Sequence, residues 1–201
     1  MLLEKIKKDK IVAIFRHVTI EALLKQADLL LENDINILEI TLNSEGALEV
    51  IYELKRRFSK DICIGAGTVM SEEDVVSAKD AGAAFIISPH MDVDVIKKTK
   101  ELELLSISGA ITPTEIFTAH KNGADMIKIF PASSLGVNYV KSLKGPFPSI
   151  PFMATGGIDE HNAKDYINSG YDAIGMGSSL TSAKIESVEE FKRKIKLLKS
   201  L

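Results

Sequence analysis

The chain has 201 residues, 45% of them hydrophobic, and sets 25 lysines and arginines against 28 aspartates and glutamates for a formal charge of −3. That length can bury one substantial core and demands no second domain. Acidic and basic residues are interspersed, leaving no electrostatic footprint for nucleic acid or an anionic membrane, so the expected partners are small molecules.

Taken in order, the chain opens on MLLEKIKKDK, whose charges interrupt its apolar residues. It reads as a short helix rather than a signal peptide or membrane span, and the expected location is the cytoplasm. Ile11 to Phe15 reads as a strand, and Thr19 to Asn33 carries Ala22, Leu23, Ala27, Leu30 and Leu31 at helical spacing. This strand-then-helix phrase repeats. Strands are expected at Ile35 to Leu42, Ile62 to Ala66, Ala84 to Ser88 and Leu104 to Ser108, separated by helices near Glu45 to Phe58, Ser71 to Ala81, Val93 to Glu101 and Pro113 to Asn122. Three more strands, Asp125 to Phe130, Pro151 to Thr155 and Ala173 to Gly177, each precede a segment able to form a helix. Glycines in KDAGAAF, HKNGADM and INSGYDA mark helix C-termini. Eight such units with mostly apolar strands predict an α/β fold, a closed (β/α)₈ TIM barrel forming one domain over 1–201. It is compact beside the ~250 residues usual for this architecture.

Asp125 to Ala132, DMIKIFPA, sets Lys128 in an apolar, β-prone run. A strand of a parallel sheet is covered on both faces, where an ammonium is costly unless paired or deprotonated. Two readings follow: a stem that packs while its head snorkels or meets a carboxylate, or an amine held to attack a carbonyl and form a Schiff base. Strand parity bears on the choice, because alternate residues point into a barrel and active sites lie at strand C-terminal ends. With Lys128 inward, Met126 and Phe130 share its side and the outward pair, Ile127 and Ile129, is aliphatic. In the second strand Leu38, Ile40 and Leu42 form the outward face, leaving Ile37, Glu39, Thr41 and Asn43 inward. In the first, Arg16 follows Val12 and Ile14 to the rim of the same cavity. Glu39 is poorly explained as an inert ion-pair partner, since replacing buried pairs by apolar residues is often neutral or stabilising.

GAGT, Gly65 to Thr68, follows the third strand and precedes a helix that Ser71 can cap, and its glycines permit close approach of backbone to a ligand. TGGI, Thr155 to Ile158, and GMGSS, Gly175 to Ser179, follow the seventh and eighth strands. Those are the loops where this architecture frequently holds phosphate on backbone N–H groups. Thr155, Gly156, Gly157, Gly177 and Ser178 are therefore candidate anion-binding residues. His17, His90, His120 and His161 have no metal-cage spacing, and neither a P-loop nor a Rossmann fingerprint occurs, so no metal or other cofactor is expected. The single Cys63 lies in a strand pattern and reads as structural.

LEITL around Glu39, GAGTV at Gly65, ISPH at Ile87, TPTE at Thr112, KIFPA at Lys128, GPFP at Gly145, TGGI at Thr155 and GMGSS at Gly175 run in order through nearly the whole chain. Together they resemble the class I 2-keto-3-deoxy-6-phosphogluconate aldolases, which overlap with the 4-hydroxy-2-oxoglutarate aldolases. The resemblance implies a (β/α)₈ barrel, a homotrimer, and a lyase that cleaves the sugar acid to pyruvate and glyceraldehyde 3-phosphate. It implies that Lys128 is the Schiff-base lysine and Glu39 the proton-transfer carboxylate. It further implies that Arg16, Thr68, Pro89 and Phe130 line the pyruvyl end, while Gly156, Gly157 and Ser178 hold phosphate. Two departures stand out. Asn43 replaces an arginine common in the family, removing a cation from a candidate substrate-binding position, and Ser108 precedes Gly109 where many members have proline, implying a looser loop. Two other readings stay open: a sugar-phosphate epimerase or isomerase on the same barrel, and a non-catalytic phosphosugar-binding barrel.

Overall fold

The computed structural model describes residues 1–58, 61–181 and 188–198. Eight parallel strands, β1 (Ile11–Phe15), β2 (Ile37–Thr41), β3 (Cys63–Gly67), β4 (Phe85–Ile87), β5 (Leu105–Gly109), β6 (Met126–Ile129), β7 (Phe152–Thr155) and β8 (Ala173–Met176), close in sequence order, with β8 pairing back on β1. Helices α2 (Ile20–Leu31), α3 (Ala47–Phe58), α4 (Glu72–Ala81), α5 (Val93–Glu101) and α6 (Pro113–Lys121) occupy the first five connections. The short α7 (Ala132–Leu135) and α8 (Tyr139–Leu143) share the sixth, α9 (Ala163–Asn168) the seventh, and α10 (Val188–Leu198) follows β8. Helix α1 (Leu2–Asp9) precedes the barrel. The repeated phrase read from the sequence is this architecture, with ends shifted by a residue or two.

Local chemistry explains the breaks. Ser71 caps α4 by accepting from the Asp74 N–H at 3.1 Å. TPTE is a capping box, with Thr112 Oγ1 accepting from Glu115 N–H and Glu115 Oε2 accepting from Thr112 N–H, and with Pro113 at the first turn. The chain leaves α4, α6 and α9 through Gly82, Gly123 and Gly170, at φ between 103° and 104°, where a side chain would be strained.

Strand alternation divides the buried residues into two cores. Ile40, Ala66, Ile86, Ile127, Ile129 and Ile174 face the helices. Val12, Ile37, Phe85, Leu105, Met126, Met153 and Ala173 fill the barrel, where they are joined by Ile6 of α1. Most of these interior residues begin their strands, so α1 seals the N-terminal end of the barrel and leaves the C-terminal end for a site. Cys63 lies half-buried at the sealed end, where burial pushes its thiol above the usual range. The segment at Ser108 and Gly109 is tightly packed rather than loose, because a Cβ on Gly109 would collide with the carbonyl group of Pro89.

Candidate active site

β2 and β6 deliver Glu39 and Lys128 to the barrel interior, with Nζ 3.9 Å from Oε1 and side chains 0% and 5% exposed, respectively. Among the described residues neither carboxylate oxygen accepts a hydrogen bond. A buried pair kept for stability needs its remaining lone pairs satisfied, and this one is not. Burial pushes the Glu39 carboxyl above the usual carboxylate range, against the opposing influence of Lys128 and then Arg16. Lys128 Nζ also lies 5.3 Å from the ring centroid of Phe130, which is 39% exposed just beyond β6.

The GAGT glycines serve the interior rather than a ligand. Gly65 pairs in register with Phe85, whose ring occupies the space a Cβ on Gly65 would need. A Cβ on Gly67 would fall on the Glu39 carboxylate itself, so Gly67 is what admits the glutamate. Thr68 carries the unusual backbone of this motif, at φ 56°, which is uncommon for a β-branched residue and marks a segment held by its surroundings. Arg16, exposed at the end of β1, donates through Nη2 to Thr68 Oγ1 at 3.4 Å.

Beside the pair, a cleft of about 540 Å³ opens over the C-terminal ends of β1, β6, β7 and β8. Its lining gathers seven sequence-predicted residues, Arg16, Phe130, Thr155, Gly156, Gly157, Gly177 and Ser178, together with His17, Asp159 and Ser179. Gly156 and Gly157 have φ of 91° and 76°, conformations glycine adopts without strain. Asn162 Nδ2 donates to the Gly157 carbonyl at 2.8 Å, and Asp159 Oδ1 accepts from the His161 and Asn162 N–H groups. Ser179 Oγ donates to the Ile158 carbonyl at 2.7 Å and ties the two loops together. Among the described residues, the N–H groups of Gly157, Ser178 and Ser179 have no acceptor. Amides so disposed suit an anion. Thr155 is 5% exposed with its hydroxyl unpartnered, and that hydroxyl fits only because residue 175 is glycine, whose Cβ would lie 2.6 Å from it.

Five predicted residues lie outside the cleft lining: Glu39, Lys128 and Thr68, described above, and Pro89 and Asn43. Pro89 sits in the loop after β4 with its carbonyl against Gly109. Asn43 is exposed in the turn after β2, because that strand ends at Thr41, where the Ser44 N–H donates back to the Thr41 carbonyl at 3.0 Å. The alternation used to place Asn43 inward therefore stops two residues short of it. Sequence reasoning passed over His17, Ser133, Asp159 and Ser179. His17, at φ 52°, donates its N–H to Ser44 Oγ at 2.9 Å, and its place after Arg16 at a strand end was the available signal. Ser133 takes the space beside Gly157. Ser133 lies in the one-turn helix α7 and Asp159 in the loop after β7, neither long enough to carry a periodic signal.

Residues 2–197 match the aldolase family described as KDPG and KHG aldolase. The chain is 36% identical over 167 residues to the 2-dehydro-3-deoxy-phosphogluconate aldolase of Haemophilus influenzae, covering 83% of this chain and 78% of that protein. It is 33% identical over 174 residues to the 2-dehydro-3-deoxy-6-phosphogalactonate aldolase of Escherichia coli, covering 86% and 85%. Its fold aligns with a TM-score of 0.81 to the KDPG aldolase of Legionella pneumophila with pyruvate captured as a covalent carbinolamine intermediate, at 26% identity and coverage of 94% and 91%.

Proposed function

The chain belongs to the KDPG and KHG aldolase family of carbon–carbon lyases, and from that premise we propose that it cleaves 2-keto-3-deoxy-6-phosphogluconate to pyruvate and glyceraldehyde 3-phosphate. The second substrate proposed is 4-hydroxy-2-oxoglutarate, which gives pyruvate and glyoxylate. The observation that carries the site assignment is the buried Lys128–Glu39 pair, 3.9 Å apart and without structural hydrogen bonds on the carboxylate.

In the proposed mechanism the Lys128 amine attacks the C2 carbonyl, forming a C–N bond and a carbinolamine, and loss of water gives the iminium. Glu39 takes the proton of the C4 hydroxyl as the C3–C4 bond breaks. The bonding pair flows into the iminium to leave an enamine, and the aldehyde departs. The Glu39 proton then passes to C3, and hydrolysis of the new iminium frees pyruvate and the amine. No metal or cofactor enters these steps. Arg16 and Thr68 bind the substrate carboxylate, Pro89 and Phe130 flank the pyruvyl group, and the amides of Gly156, Gly157, Gly177 and Ser178 receive the phosphate. Thr155 offers its unpartnered hydroxyl to the substrate chain, which is thereby held with C3–C4 near the base. Asn43 lies outside the cleft lining, and Arg16 is the one arginine or lysine among the described cleft-lining residues. A cytoplasmic homotrimer is proposed on the family resemblance. Among the described residues no helix is long and apolar enough to cross a membrane.

Incubation with pyruvate and borohydride, followed by peptide mass spectrometry, tests the assignment. The expected result is a reduced pyruvyl adduct on Lys128, and turnover by protein that never carries that adduct would refute it. Gly67→Ala tests the room made for the base. Its Cβ displaces the Glu39 carboxylate, so kcat/KM is expected to fall by about 10²-fold, as for an ångström-scale misplacement. Overpacking should also cost about 1–3 kcal/mol in a urea melt.

A further inference from the structure

The proposed anion subsite is short of positive charge. Arg16 alone among the described lining residues is permanently cationic, and it is engaged with Thr68. A phosphate of nearly two negative charges would then rest largely on backbone dipoles. Helix α10 brings a further cation to the β8 loop from behind. Phe191, Ile195 and Leu198 form its buried stripe, and Lys194, one turn after Phe191, lies half-buried on the same side. Lys194 Nζ donates to the carbonyl of Ser179 at 3.4 Å. The adjacent Arg193 pairs with Glu190 at 3.6 Å, whereas no ion pair engages Lys194 among the described residues.

We propose that Lys194 is a positioning and electrostatic residue of the anion subsite, selecting phosphorylated over unphosphorylated keto acids. This rests on the aldolase reading above. The peptide joining Ser179 to Leu180 is held at both ends, its carbonyl by Lys194 and its N–H by the Gly177 carbonyl at 2.8 Å. That anchoring keeps the N–H groups of Ser178 and Ser179 free for the cleft. The charge on Lys194, half-buried and without an ion-pair partner among the described residues, raises the potential where a phosphate would sit and is screened less by salt than a fully exposed one.

The test compares wild type with Lys194→Met, which removes charge and donor, Lys194→Gln, which keeps a donor without charge, and Lys194→Arg, which keeps both. For Lys194→Met and Lys194→Gln, the ratio of kcat/KM for 2-keto-3-deoxy-6-phosphogluconate to that for 4-hydroxy-2-oxoglutarate is expected to fall roughly 5–20-fold, chiefly through KM of the phosphorylated substrate. Calorimetric titration with inorganic phosphate should show a matching loss of affinity, and Lys194→Arg should restore both. Thermal melts without phosphate verify that each variant is folded, and Lys194→Gln is the milder of the two that remove the charge. An unchanged ratio and phosphate affinity in Lys194→Met and Lys194→Gln overturns the proposal. So does an equal loss for both substrates, or an arginine variant no better than methionine, either of which reduces Lys194 to a packing role. Wild type that cleaves neither keto acid would sink the aldolase reading instead, and the phosphate titration would still judge Lys194.

Discussion

Lys128→Met is expected to lower kcat/KM for the phosphorylated keto acid by at least about 10⁴-fold, and to abolish borohydride trapping of pyruvate. Without the amine there is no iminium to receive the electrons of the C3–C4 bond, and no neighbouring group replaces it: Glu39 is an acid, and Arg16 is no nucleophile at working pH. Activity within tenfold of wild type would remove Lys128 from the mechanism. The same variant makes a statement about stability. Lys128 is the larger of the two influences holding the Glu39 carboxyl down against burial, so its removal drives that carboxyl further up. Glu39 then takes a proton instead of standing as a bare buried charge. A carboxyl whose folded value exceeds its unfolded value contributes stability below the unfolded value and loses it as pH rises through the folded one. Lys128→Met should therefore melt closer to wild type at pH 5 than at pH 8, and a difference in the opposite sense would contradict the burial argument.

Glu39→Gln carries the second large effect, a loss of about 10²–10⁴-fold in kcat/KM, the range for a positioned general base. The wild-type pH profile provides the control that a structural role would not reproduce. Since the carboxylate form must accept the C4 hydroxyl proton, kcat/KM should fall on the acid side through an apparent pKa above the ordinary carboxylate range, and that limb should disappear in Glu39→Gln. Undiminished turnover would end the assignment. Stability should move the other way from activity. In wild type the ionised carboxylate is fully buried without a hydrogen bond, and its raised value means the fold favours the protonated form, so Glu39 detracts from stability as pH rises through that value. Glutamine has nearly the same shape and nothing to ionise. Glu39→Gln should thus equal or exceed wild type in Tm at pH 8, the exchange of stability for function expected where a strained polar group is kept for chemistry. A lower Tm at pH 8 would show that the attraction to Lys128 outweighs desolvation.

Much of this protein is legible in its sequence. A strand's side-chain alternation has a period of two and a helix's apolar stripe a period near 3.6, and both are local. They were enough to find eight repeating units and to turn Lys128 and Glu39 to the same interior. The aliphatic outward faces did that work, since Ile127 and Ile129 had to meet the helices. The TGGI and GMGSS loops could be singled out because the architecture assigns anion binding to the ends of β7 and β8.

Tertiary structure decided what depends on who stands opposite. Gly65 and Gly67 look alike in the sequence, yet one yields to the ring of Phe85 and the other to the carboxylate of Glu39; Glu39 pairs in register with Gly65, and only the reach of its side chain carries the carboxylate on to Gly67. Alternation says which way Asn43 would point if β2 continued, but a strand's end is set by the turn that follows, and β2 stops at Thr41. Helix α1 reads as a charged lead-in until Ile6 is found among the barrel's interior residues. Ser133 and Asp159 reach the cleft or its loops from segments too short for a periodic signal, and the stripe of α10 that turns Lys194 inward does not say that the β8 loop lies beneath it. From its sequence alone this chain determines the barrel and the direction of its reactive pair, because both are written in short-range periodicity. The room made for the base and the surroundings of the anion loops are long-range contacts, and only the closed fold brings those residues together.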